Sequence, residues 1–312
     1  MGEEPDEVTQ QSDHTHPPQA DSGRYLLAIV VVVAMLIGAN FSIIKEGLDY
    51  TTPFLMAAMR TVIGGTFLIA LATLRGERLP TDRRDLANIF VVGFSITTVS
   101  SALLVYGIGR TPAGVSSLIS STMPLFTAVL SFVLLSAQVS RLGATGLIVG
   151  FGGTAVIASP TIAGDAGVVG IVSLVLSAMA WSFGTVYMKW RDFSRVSPIM
   201  LVGVQLIMSA MMLVPFALVI EGTADTEWGW ALYLPLLYAA IPANAVTFSL
   251  MATVVRRATP TVAASTAYLI PLFGVFFSWL LRGESLGIVE AVGGVLVVAG
   301  VYLVVTANTR GI

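Results

Sequence analysis

Ten hydrophobic stretches long enough to cross a bilayer follow one another through this chain of 312 residues, and the last five echo the first five. A helix needs roughly 20 apolar residues to span the hydrocarbon layer. The stretches of about that length are 25–44, 53–74, 86–108, 112–136, 142–159, 168–190, 198–220, 230–254, 260–281 and 286–307. Five crossings per repeat is an odd number, so the second set must enter the membrane from the opposite side. The expected fold class is an all-α polytopic membrane protein, with ten transmembrane helices in two inverted five-helix repeats, 25–159 and 168–307.

Composition excludes most other classes. Only 11% of the residues are charged and the mean hydropathy is +0.87, whereas a soluble domain carries about a quarter charged residues. There is no cysteine, which removes disulfides, thiolate metal sites and thiol nucleophiles. Both histidines, His14 and His16, lie in the polar head, so no imidazole metal site is available within the membrane. No GxxxxGK[ST] loop occurs, so ATP-driven work has no support, and neither a cofactor nor a nucleic-acid partner is expected. Residues 1–24 are acidic, carry Pro17, Pro18 and Gly23, and lack a signal peptide's basic and apolar regions. They read as a disordered tail.

Basic residues outside the spans set the orientation. Twelve fall in the head, the even-numbered loops and the C-terminus, from Arg24 through Arg75, Arg78, Arg83, Arg84, Arg141, Lys189, Arg191, Arg195, Arg256 and Arg257 to Arg310. Three fall in the odd-numbered loops: Lys45, Arg110 and Arg282. The bias places both termini in the cytoplasm of a multi-pass protein of the cytoplasmic membrane, which an even count of crossings also requires.

Sliding residues 110–153 onto 257–300 without gaps gives ten identities, among them Pro124/Pro271, Leu125/Leu272 and Phe126/Phe273 in mid-span. The first and sixth spans match through Ala34/Ala178 and Lys45/Lys189. Further carriers of likeness are GANFSIIK ending at Lys45, Pro53 with MAAMR ending at Arg60, TPAGVSSLISSTMPLF (111–126) with TPTVAASTAYLIPLF (259–273), and the RGESLG turn (282–287). In these the chain resembles the drug/metabolite transporter superfamily, EamA type, over residues 25–307. The resemblance implies exchange of amino acids, amines, nucleosides or drug-like metabolites, with export in several members. One departure stands out: the first-half counterpart of RGESLG reads SAQVSR (136–141) and has no acidic residue.

Polar groups inside the spans mark candidate chemistry. Arg60 costs about 2.5–3.5 kcal/mol at a helix centre on insertion scales, so it needs an offsetting partner. It either holds a substrate carboxylate or pins neighbouring helices. Asn40, Gln205 and Asn244 suit a polar ligand or interhelical hydrogen bonds. Trp181 and Tyr268 offer aromatic walls, or ordinary packing surfaces. Pro124, Pro242 and Pro271 are expected to interrupt helices at corresponding depths and line a central cavity, the best sequence pointer to a carrier's site. Glu290 is the lone clear intramembrane carboxylate and the one candidate for proton coupling; near a span end, it can equally meet headgroups or water.

These residues favour a secondary carrier of small neutral or zwitterionic metabolites working by alternating access, with a small-molecule substrate and membrane lipid as partners and a proton as candidate coupling ion. Phosphorylated cargo would need more than one deep cation. A membrane-embedded transferase lacks the clustered acids and histidines such chemistry uses. A non-transporting sensor or assembly subunit is the remaining alternative.

Overall fold

The computed structural model describes residues 19–136, 138, 140–160, 165–248, 250–251 and 260–310. Most of the polar head, the end of the eighth expected span and the Arg256–Arg257 loop lie outside these. The described residues form ten helical segments and no strands: α1 (Gln19–Gly47), α2 (Pro53–Leu74), α3 (Arg83–Arg110), α4 (Ala113–Leu135), α5 (Arg141–Ala158), α6 (Asp165–Trp190), α7 (Pro198–Ile220), α8 (Trp230–Val246), α9 (Pro260–Arg282) and α10 (Ile288–Arg310). Eight of them contain apolar stretches long enough to cross a membrane, and the apolar parts of α8 and α9 are shorter.

Packing follows the repeat. The pairs α1·α9 and α6·α4 exchange when every helix is advanced by five, as do α3·α6 and α8·α1. The pairs α2·α7 and α5·α10 map onto themselves and straddle the pseudo-twofold axis. Their antiparallel sense is visible at the ends. Glu221, just after α7, accepts hydrogen bonds from the N–H groups of Phe54 (2.9 Å) and Leu55 (3.0 Å) at the start of α2. Reciprocally, Glu77, just after α2, accepts from the hydroxyl of Ser197, the N-cap of α7. Each carboxylate meets the positive end of the other helix, where free N–H groups need acceptors. Each sits beside a turn glycine, Gly76 (φ 79°) or Gly222 (φ 68°), in the left-handed conformation that lets the chain reverse.

The pair α5·α10 closes by glycine. A Cβ built on Gly153 would meet the Gly293 carbonyl at 2.7 Å, and one on Gly146 would meet the Gly300 carbonyl at 2.7 Å. Small residues therefore let the two backbones touch, which is how helices associate where lipid offers no hydrophobic drive. Gly38 of α1 meets Phe273 and Gly274 of α9 in the same way.

Matched breaks at Pro124 and Pro271 are not what the structure contains. α4 is interrupted at Ser121–Thr122, before Pro124, whereas α9 runs unbroken through Pro271. Ser121 and Thr122 turn their hydroxyls onto the carbonyls of Ser117 (2.8 Å) and Ile119 (2.6 Å), competing with the helical ladder just ahead of the proline. The equivalent run before Pro271 is Tyr268, Leu269 and Ile270, which has no short hydroxyl to compete.

A second set of contacts joins the odd-numbered loops. Arg282 Nη1 pairs with Glu46 (2.6 Å) and Asp49 (2.7 Å), and Lys45 pairs with Glu284 at 3.3 Å. Glu284 also accepts from the Ala113 N–H (2.6 Å) and the Ser278 hydroxyl, while Lys45 donates to the Thr111 carbonyl. Partial burial pushes the Glu284 carboxyl upward. The Ser278 hydroxyl, the Lys45 charge and the Ala113 N–H outweigh that and hold it below its ordinary 4.5.

Two outcomes are expected. Gly153→Ala should destabilise by about 1–3 kcal/mol in thermal or denaturant unfolding of solubilised protein, because the new methyl meets backbone. The adjacent Gly152, with nothing within 4 Å of an added Cβ, should tolerate alanine without loss. Because the folded carboxyl of Glu284 binds its proton less readily than the unfolded one, its stabilising contribution is complete above about pH 4.5 and disappears as pH falls through the folded value. The melting temperature of Glu284→Gln should therefore be lower near neutral pH and flatter below pH 4.5 than that of the parent.

Candidate functional site

Helix α3 is the polar spine of the bundle. From Gly93 to Val99 its turns widen into a π-helix, and α8 does the same from Ile241 to Val246. The two stretches fall in register at the 147-residue repeat offset that carries Arg110 onto Arg257, so Thr97 corresponds to Asn244. Such widened turns cost regular hydrogen bonding and cluster at functional positions. Pro242 lies inside the second stretch, whereas the first forms without a proline.

Around this spine the hydroxyls pair across helices. Ser100 and Ser177 of α6 lie 3.0 Å apart, Thr98 donates to Ser209 of α7 at 2.9 Å, and Gln205 of α7 donates to Thr97 at 2.6 Å. Arg60 of α2, only 6% exposed, donates from Nη2 to Ser101 at 2.8 Å. Its Nε and Nη1 have no partner among the described residues.

Arg60 and Gln205 occupy the same place in the two repeats. Both stand seven residues beyond the proline that opens their helix, Pro53 or Pro198. Gln205 is engaged by Thr97, whereas Arg60 keeps free N–H groups. Two further unpaired polar atoms share its depth: Asn40 Oδ1, seven residues before the end of α1, and Ser120 Oγ, seven beyond the start of α4. At 1.5 Å per residue all three lie about 10 Å below the odd-loop ends of their helices. Repeat-equivalent positions in the second half hold Gly184, Gln205 and Ala267. Among the described residues the unsatisfied buried polar groups are thus gathered in the first repeat, on the odd-loop side of mid-membrane.

The other expected residues separate from this level. Trp181 is partly buried on α6, and Asn244 is partly buried in the π-helical stretch of α8. Tyr268 stacks at a tilt on Tyr302, with ring centroids 5.8 Å apart, and lines a cavity of about 740 Å³ between α9 and α10. That cavity includes Pro271 and strongly exposed Leu272 and Val295, and none of Asn40, Arg60, Trp181, Gln205 or Asn244. It is an apolar groove on the bundle's outer surface. Glu290 occupies the first turn of α10 with its carboxylate against Gly287, at a helix N-terminus that favours negative charge.

Ser101, Thr97, Ser100 and Ser177 carry no signal of their own in the sequence, because a serine or threonine in a membrane helix can bond its own preceding turn. The equal spacing of Arg60 and Gln205 from Pro53 and Pro198 is the sequence feature that points to their equivalence.

Residues 24–159 and 168–306 each match the description "EamA-like transporter family". The chain belongs to that family. Bacillus subtilis (strain 168) has a relative, the uncharacterized transporter YvbV, that is 30% identical over 284 residues, covering 91% of each chain. The uncharacterized inner membrane transporter YedA of Escherichia coli (strain K12) is 25% identical, covering 89% of this chain and 90% of that one. A chloroplastic WAT1-related protein of Arabidopsis thaliana is 26% identical over 86% of this chain and 66% of its own. A solved crystal structure with 18% identity shares the fold at a TM-score of 0.64, covering 94% of this chain and 99% of that one. This EamA-type protein is a multi-pass membrane transporter of the drug/metabolite superfamily, not an enzyme.

The Arg60–Ser101 contact generates a direct test. Ser101→Ala removes the one side-chain partner that Arg60 has among the described residues. We expect a stability loss of about 1–3 kcal/mol in chemical unfolding, the usual cost of stripping a buried donor of its acceptor.

Proposed function

We propose that this transporter is a secondary carrier for small neutral or zwitterionic amphipathic metabolites of amino-acid, amine or drug-like character, working in the export direction by alternating access. Both termini are cytoplasmic in this reading, so the odd-numbered loops face outward. Residues 25–159 and 168–307 act as the two moving repeats, and residues 19–24, expected from the sequence to be tail, belong to α1.

The observation that carries the reading is the level of unsatisfied groups on α1, α2 and α4. An unpaired buried donor costs about 1–3 kcal/mol, more when charged, and hydrocarbon cannot relieve it. Arg60 offers its positive charge and the unpaired N–H donors of Nε and Nη1 to a carboxylate. Asn40 and Ser120 at the same depth add an acceptor and a hydroxyl for the cargo's remaining polar atoms. Gln205, Trp181 and Asn244 contribute polar and aromatic surface from the second repeat, with Pro124 and Pro242 at the irregular segments beside them. One guanidinium at this depth suits a single negative charge and leaves a phosphate ester under-neutralised.

In this reading Arg60→Met weakens binding of carboxylate-bearing cargo by about 10–100-fold, the worth of a charge-assisted pair, while the protein still inserts and folds. A panel of amino acids, amines and nucleosides, screened by thermal shift of detergent-solubilised protein and then by flux into liposomes, measures this. Unchanged flux in a folded Arg60→Met protein removes the arginine from the cargo site. Stabilisation by cargo without flux in the parent favours the sensor reading instead.

A further inference from the structure

The two faces of the bundle are not fastened alike: the ion pair described on the even-loop face, Arg195 with Asp82 at 3.8 Å, joins two exposed side chains. On the odd-loop face five charged side chains, Lys45, Glu46, Asp49, Arg282 and Glu284, link the α1–α2 loop to the α9–α10 turn, and Glu284 holds the N-terminus of α4. The register that carries Lys45 onto Lys189 places Trp190 and Phe193 where Glu46 and Asp49 stand. The register that carries Ser278 onto Ser131 places Leu135 and Ala137 where Arg282 and Glu284 stand. Of the five charges only the lysine has a counterpart. Lys189 is solvent-exposed, whereas Lys45 is partly buried. By contrast, the clasp of α2 with α7 is present on both faces, through Glu221 and Glu77.

Beneath these charges the seam between α4, α9 and α1 is closed by small groups. The Gly114 N–H donates to Ser278 at 3.0 Å, Ser117 is fully buried against Gly274, and Gly38 lies against Phe273. Deeper on α1 and α4 lie the unpaired Asn40 and Ser120.

We infer that the five charges form a one-sided electrostatic strap that keeps the odd-loop face shut, so that the unloaded carrier rests open to the even-loop face. This rests on the alternating-access reading. The α2–α7 clasp has a carboxylate on each face and so does not single out one of them, whereas the strap stabilises only the conformation in which α1, α4 and α9 are drawn together at the odd-loop ends. A contact made in one state and absent in the other shifts the population by its full strength.

The chain contains no cysteine, so a single introduced thiol reports without background. Ser117→Cys places it in the closed seam. With a membrane-impermeant maleimide applied from the odd-loop side of sealed vesicles, labelling should be slow in the Ser117→Cys parent. It should be about tenfold faster when Glu284→Gln or Lys45→Met is added, as for losing a charge-assisted contact present in one state only. Molar salt, which screens partly exposed pairs, should accelerate the parent alone. Lys45→Met leaves Glu284 bonded to Ala113 and Ser278, so it provides a folded test should Glu284→Gln fail to accumulate. Equal labelling rates in the parent and in a folded variant overturn the strap. Liposome flux of the cargo separates the two layers. Flux intact with equal labelling rejects the strap alone. No flux in the parent, with the labelling difference present, rejects the carrier reading while leaving the ionic closure of the odd-loop face.

Discussion

Hydrocarbon offers no hydrogen bond to a polar group, and the whole arrangement of this bundle follows from that restriction. The helical ladder satisfies most backbone groups, and the helix ends are satisfied by the reciprocal carboxylates of Glu221 and Glu77. Interior hydroxyls and amides find one another across α3, α6 and α7. Among the described residues Arg60 keeps two unpaired nitrogens, with Asn40 and Ser120 at its depth and Ser42 and Thr52 nearer the odd-loop ends, and these mark the place where the fold has left capacity for something else.

Much of the architecture was legible from amino-acid order alone, for reasons particular to membranes. The apolar runs are long and unambiguous, and the segments observed for them start and stop near the hydropathy boundaries, apart from the end of the eighth, which lies outside the described residues. The inversion was legible because five is odd, and it appears in the structure as the antiparallel meeting of α2 and α7. Local backbone departures were less so. Pro124 and Pro271 look equivalent as prolines, yet the Ser120–Ser121–Thr122 run makes one a break, and Tyr268–Leu269–Ile270 leaves the other inside a continuous helix. The widening of α3 at Gly93–Val99 has no proline to announce it.

The candidate site divides the same way. Arg60 was legible because a charge in a span is costly wherever it lies. Its freedom was not, since the number of partners a guanidinium finds depends on how α2 and α3 pack. Tyr268 illustrates the limit from the other side: an aromatic ring in mid-span looks like a cavity wall, and here it lines a groove on the outer surface with Tyr302. An apolar side chain is at home against lipid or protein, so its identity does not tell which it faces.

Duplication gave this fold two copies of each position, and divergence between the copies is therefore informative in a way that a single residue is not. Arg60 and Gln205 hold equivalent positions; one keeps unpaired donors and the other donates to Thr97. In the sequence register Glu284 and Ala137 are a second such pair. A carrier whose halves were identical would have equal energies facing either way, since the two orientations would be mirror exchanges of the same contacts. Every contact present in one copy alone tilts that balance. The unpaired groups of α1, α2 and α4 and the ion pairs of Lys45, Glu46, Asp49, Arg282 and Glu284 both lie toward the odd-loop ends of their helices, so the groups proposed to bind cargo and those proposed to select the open face occupy neighbouring levels.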